Sequence, residues 1–363
     1  MNTSTSNTPS KQPLPALATH PAPVPPRSRL TAHIVTIIVA ALVAPLACGL
    51  ILYGSQLLEL KVLQGSVWGS AQGTAFLALG LLILAGLAIF SGAKSTFGMA
   101  SVLLTLWMMT LYQSTFTPIA IFHLPALIRF QVDIFGWSSF TPGLLGGSLG
   151  ATYAMYIARR AGIYDVRDDQ EKLQALPRSG VRLPPAPSSR RISWIVSTAI
   201  GAISAIIIFI AFFLQAANID FSVAAPPVRP LGPSSSIVWL AIIVTIVSAL
   251  LTGSAYISSF GAMVSTSIFL IAPAIVISLI GVLSTGSPIK GGSVFAWLSA
   301  LSTPVGVLGS ALFLMSVGAH FARKEGRRRE IRDLERLEEE SKKRSEQRDK
   351  KAKEEALQAL SDD

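Results

Sequence analysis

The chain has 363 residues, with 30 Lys plus Arg against 20 Asp plus Glu and a formal net charge of +10. Hydrophobic residues make up 51% of it, charged residues only 14%, and mean hydropathy is +0.54. This composition excludes the two or three water-soluble domains that the length would otherwise suggest, and it points to a polytopic membrane protein.

The first thirty residues, MNTSTSNTPSKQPLPALATHPAPVPPRSRL, are polar and proline-rich. They cannot bury enough apolar surface to offset ordering entropy, so residues 1–30 read as a disordered tail. A cleavable signal is not expected, because the following apolar run is too long and lacks a convincing small-residue cleavage site.

Eight apolar runs follow: Ala32–Tyr53, Ala75–Phe90, Phe97–Tyr112, Trp137–Ile157, Ile192–Ala216, Ile237–Ile257, Phe260–Leu283 and Phe295–Phe321. A helix of about 20 apolar residues spans a hydrocarbon core roughly 30 Å thick, and these runs are continuous rather than alternating. The expected fold is therefore all-α, with eight transmembrane helices. The lone cysteine, Cys48, lies inside the first run and reads as a small packing residue, with no disulfide to form.

The stretch STFGMAS at 95–101 returns as SSFGAMVS at 258–265, each time at a short break between two apolar runs. Other landmarks recur at offsets of 160 to 164: Gly92 with Gly253, Phe135-Gly136-Trp137 with Phe295-Ala296-Trp297, Thr141-Pro142 with Thr303-Pro304, and Arg159-Arg160 with Arg323-Lys324. A near-constant offset carried by different residue types predicts two tandem four-helix modules, 31–160 and 192–321. Each module has an even number of spans, so the two are parallel, related by an axis along the membrane normal. Phe97-Gly98 and Phe260-Gly261 are then matching hinges, where glycine permits the reversal and neighbouring hydroxyls cap the next helix.

The fourth run carries Gly143, Gly147 and Ala151 at spacings of four, and Gly146 with Gly150 on a second stripe; Gly306 and Ser310 repeat the idea in the eighth. Ser197, Gly201 and Ala205 do so in the fifth. Small residues at that spacing let helix backbones approach closely in lipid, so these are candidate packing faces.

Lys and Arg are retained on the cytoplasmic side of a membrane. The tail, the two hinges, the 158–191 linker and residues 322–363 together hold 26 of them, and the opposite connections hold four: Lys61, Arg129, Arg229 and Lys290. Both termini and the linker at 161–191 are thus expected to be cytoplasmic at a plasma membrane. The anionic inner leaflet is the expected counter-surface for the positive charge, and no nucleic acid is required to explain it.

No Asp, Glu, Lys or Arg lies in these runs away from an end. Proton-coupled antiporters and intramembrane metallo- or aspartyl proteases need such groups at membrane depth, so those classes are excluded. His20, His33, His123 and His320 are scattered at ends and loops, with no metal cluster and no phosphate-binding loop in sight. No cofactor is expected. The one outer connection with chemical character is 113–136, an aromatic segment suited to lying in the headgroup region. It offers His123, Arg129 and Asp133 as a small polar site.

The C-terminal segment 322–363 holds Glu338–Lys342, Glu339–Lys343 and Glu340–Arg344 as i,i+4 pairs in the favourable order. Ile331, Leu334 and Leu337 give it only a short apolar stripe, too little for a firm coiled coil. A long charged cytoplasmic helix, open to a protein partner, is predicted.

Four helices closing on GLLGGSLGATYAMYIARRAG resemble uncharacterised multi-pass membrane proteins of high-GC Gram-positive bacteria, a resemblance that implies the span pattern and no activity. Charge-free spans and a charged helix together favour a non-enzymatic scaffold or accessory subunit of the cell envelope. The alternative is a facilitator or flippase for a lipid or small apolar solute, working in a cleft between the modules.

Overall fold

The computed structural model describes residues 30–63, 71–116, 140–175, 189–217, 235–284 and 294–361. Nine α-helices are found among them: α1 (Leu30–Leu63), α2 (Ala71–Ala93), α3 (Phe97–Phe116), α4 (Thr141–Ala175), α5 (Ser189–Ala217), α6 (Ser235–Gly253), α7 (Ser259–Thr266), α8 (Ala272–Ser284) and α9 (Val294–Ser361). A five-residue π segment, Ser267–Ile271, joins α7 to α8 into one rod. Pro273 explains the widened turn: it has no N–H to donate, and its ring would clash with the carbonyl four residues back.

Six helical segments are long and apolar enough to cross a membrane: Leu30–Ser55, Ala71–Ala93, Ile192–Leu214, Trp239–Tyr256, Ser259–Ile280 and the segment Ser302–Glu354 of α9. Phe97–Met108 is a shorter apolar helix. Although its sequence reads as the fourth span, α4 does not reach that standard. The physical reason is its setting. Phe140, Leu144, Ser148, Ala151, Ala154, Met155 and Ala158 are buried against other helices, so glycines and serines serve where a lipid-facing helix carries Leu and Ile. The lipid-type surface sits elsewhere: Ile203, Ile206 and Ile210 on α5 and Ile275, Val276 and Leu279 on α8 are exposed.

The composition boundaries at 160/161 and 321/322 fall inside α4 and α9, which continue without a break. Arg, Glu, Lys and Gln are good helix formers, so a change from apolar to charged residues does not end a helix.

Helix neighbours follow one scheme. α1 packs on α2 and α3, and α5 packs on α6 and α7. Farther along the chain, α2 packs on α9 and α6 on α4, while α4 and α9 lie against each other. These last two run parallel. Gly143 faces Leu308 and Gly147 faces Leu312; further along, Gly318 faces Met155 and Arg167 pairs with Glu330. Gly146 and Gly150, on the other stripe of α4, lie against the backbone of Thr245 and Ala249 in α6. Gly306 approaches Ala274 of α8, while the Ser310 hydroxyl returns to its own helix at Gly306 O, 2.8 Å away. On α5, Gly201 faces Ser265.

A Cβ on Gly146 would collide with Thr245 O, whereas one on Gly86 would meet nothing within 4 Å. Gly146→Leu is expected to destabilise the bundle by at least about 1–3 kcal/mol. Gly86→Ala should be neutral or stabilising by up to about 1 kcal/mol. Thermal unfolding in detergent checks the contrast.

Candidate functional site

The two sequence hinges lie at one end of the bundle and are built alike. Lys94–Thr96 form the first turn; Ser95 is buried and its hydroxyl accepts from Phe97 N at 3.3 Å. At the second, Ser258 caps α7 by accepting from Gly261 N at 3.3 Å. Gly98 lets α3 press on Ser91 and Thr36, and Gly261 lets α7 press on Ser197 and Thr198. Each phenylalanine meets a ring of a neighbouring helix, Phe97 edge-on to His33 of α1 at 5.1 Å and Phe260 tilted against Trp194 of α5 at 6.1 Å. His33 also lies 2.6 Å from the Ser95 hydroxyl, a contact that its place at the end of a run did not suggest.

Sequence reading took Arg159 and Arg323 only as landmarks. In the structure they organise a polar node on this same rim. A helix end leaves its last four carbonyls without partners and carries partial negative charge. At the end of α2, Phe90 O accepts from Lys94 N, while the carbonyls of Ser91, Gly92 and Ala93, with that of Lys94 in the turn, accept from guanidinium groups. Arg159, which is buried, donates from Nη2 to Gly92 O (2.6 Å) and Ser91 O (3.2 Å) and from Nη1 to Lys94 O (3.4 Å). Arg329 of α9 donates from Nη2 to Ala93 O and Lys94 O, each at 3.3 Å. Glu325 steadies Arg329 through Nε at 3.0 Å and accepts from Arg332 Nη2 at the same distance.

Arg323 does something else. Its Nε and Nη2 form a fork on Asp165 at 3.0 and 3.1 Å. This pairing commits Arg323 to α4. The end of α6 is satisfied locally instead: Ser197 Oγ donates to Ser254 O (3.1 Å) and Ser258 O (2.8 Å), and Ile257 N donates to Ser254 O.

Two more contacts lock α4 to α9 here. Gly162 lies against Arg323 O, and Gly326 against Arg159 O, so each helix offers a glycine to the other's arginine. Arg167 Nε donates to Glu330 at 2.7 Å, which raises the Arg167 pKa through that hydrogen bond and keeps the guanidinium charged.

No group of three or more His, Cys, Asp or Glu that could hold a metal occurs among the described residues. His123, Arg129 and Asp133 lie outside the described residues. Arg159 was findable in principle, since an arginine closing a glycine-rich apolar run needs acceptors within reach. Its partners, 65 to 68 residues away, were not.

Comparison with protein-family models, with curated proteins and with solved structures finds no match. What the node can do chemically is grip. It ties α4 and α9 to the end of α2.

Loss of Arg159 removes several charged hydrogen bonds, each worth roughly 1.5–3 kcal/mol. Arg159→Ala should therefore lower the melting temperature sharply. Arg159→Lys should recover little, because an ammonium cannot fork across several carbonyls. Asp165→Asn should cost less, as Arg323 is already 40% exposed on its side chain. Differential scanning fluorimetry of the three purified variants orders them.

Proposed function

We propose that this chain is a non-enzymatic membrane scaffold or accessory subunit of the cell envelope. In this reading it crosses a plasma membrane eight times as two parallel four-helix modules, with both termini cytoplasmic, and presents the end of α9 as a rigid stalk to a protein partner. The observation that carries the reading is α9 itself. It is one helix of 68 residues, gripped by α4 and α2 as far as Glu330 and Arg329. Beyond Arg332 its side chains through Glu354 are exposed or half-exposed. At 1.5 Å per residue, Arg332 to Ser361 extends about 44 Å past the node. A gripped base and a bare shaft suit a spacer that holds something at a set distance.

Parallel modules are supported by the parallel run of α4 and α9, by the exchanged packing of α2 and α6, and by the matched hinges. The facilitator alternative needs an opening between the modules. Along the described α4–α9 seam, Leu144, Met155, Leu308, Leu312 and Met315 are buried side chains that fill the space, which weighs against it.

Two measurements test the proposal. Cys48 is the single cysteine and is buried, so a membrane-impermeant maleimide will report on an introduced thiol alone. Ser345→Cys should label in inverted vesicles and stay unlabelled in intact cells; the reverse pattern overturns the orientation. Proximity labelling from the C-terminus should recover a reproducible set of neighbours that disappears when residues 333–363 are deleted. No reproducible neighbour, with the deletion behaving as the full chain, overturns the scaffold reading.

A further inference from the structure

The carboxylates of the hinge rim are engaged in internal pairs. Asp165 is held by Arg323, Glu325 by Arg329 and Arg332, and Glu330 by Arg167. Four cations on the same rim have no carboxylate partner among the described residues: Lys94 in the first hinge, Arg160 on α4, and Lys324 and Arg328 on α9. All four are exposed. Arg160 lies over the ring of Tyr156, one turn back along α4, with its guanidinium carbon 4.8 Å from the centroid. Arg160 and Lys324 stand beside Arg159 and Arg323, the residues on which α4 and α9 cross, and therefore at one level. Arg328 follows one turn beyond.

Exposed rings lie in the same band. Phe97 and Phe260 mark the two hinges, Trp194 faces Phe260, and Tyr156 and Tyr164 flank Arg160. Aromatic rings at the level of unpaired cations, beside exposed aliphatic helix faces, are what a membrane–water interface selects. A soluble acidic partner would have no use for the aliphatic faces that continue directly from this band.

We infer that Lys94, Arg160, Lys324 and Arg328 form a collar that binds the headgroups of anionic phospholipids. The occupant is lipid in the leaflet at the hinge rim, held by ammonium and guanidinium contacts to phosphate while the rings seat among the acyl–headgroup boundary. The inference rests on the membrane-crossing reading of the bundle. It goes beyond that reading by making the collar select among lipids, while internally paired arginines such as Arg323 stay committed to protein acceptors.

The test uses the full chain reconstituted in nanodiscs of phosphatidylcholine with phosphatidylglycerol at equal amounts, followed by release of the protein with its retained lipids for native mass spectrometry. One variant carries Lys94→Gln, Arg160→Gln, Lys324→Gln and Arg328→Gln. A second removes the same charge from the stalk with Lys343→Gln, Arg348→Gln, Lys350→Gln and Lys351→Gln. The native chain should retain phosphatidylglycerol in preference to phosphatidylcholine, and the stalk variant should match it. The collar variant should lose at least about fivefold of that preference, the effect expected from even one basic residue near an anionic surface. Equal retention of the two lipids by the native chain overturns the inference, as does a preference unchanged in the collar variant or lost equally in the stalk variant. Carbonate washing of cell membranes separates the two levels. A native chain that stays in the membrane without lipid preference refutes the collar alone, and one that washes off refutes the membrane reading with it.

Discussion

Lipid offers a helix no reward for hiding a leucine, because hydrocarbon is as apolar as the side chain. Association has to come from close packing and from polar groups that satisfy each other. The α4–α9 seam meets that constraint, and the other helices are arranged around it. Gly162 rests on Arg323 O while Gly326 rests on Arg159 O. This is the reciprocity of a two-fold dimer interface, in which residue i meets j and j meets i, written here within a single chain. With α4 and α9 so joined, α2 packs on α9 and α6 on α4.

The same crossing creates an electrostatic difficulty. Helix ends brought into a packed rim leave carbonyls that neither lipid nor protein backbone can satisfy. The end of α2 resolves it with two guanidinium groups, and the end of α6 with a short 3-10 turn and Ser197. At the base of α9, Arg329 reaches the end of α2 while Arg323 is held by Asp165 of α4. At this rim α4 and α9 are each fastened to the other and to the end of α2.

Much of this was legible in the sequence. The described residues of the apolar runs are almost wholly helical, and the two glycine stripes of α4 face two different neighbours, α9 and α6. The repeated Ser/Thr-Phe-Gly stretch occupies the same kind of turn twice. Three things were not legible, each for a physical reason. The continuity of α4 and α9 across the composition boundaries at 160/161 and 321/322 leaves no signature, because charge changes solvation without breaking hydrogen bonds along the axis. Burial of α4 was hidden because small residues lower hydropathy in the helix most enclosed by protein. The Arg159 grip depends on acceptors in the backbone of α2, and backbone carbonyls leave no mark on sequence.

The charge order along the stalk bears on how it can associate. Glu338–Glu340 is an acidic block and Lys342–Arg344 a basic one, and within a single helix they face each other at i,i+4, with Arg344 lying 3.9 Å from Glu340. Two copies standing in one membrane would run parallel, setting acidic block beside acidic block and basic beside basic. Ile331, Leu334 and Leu337 supply too few apolar contacts to override that repulsion. Homotypic parallel pairing is therefore disfavoured by the very pairs that support the helix alone.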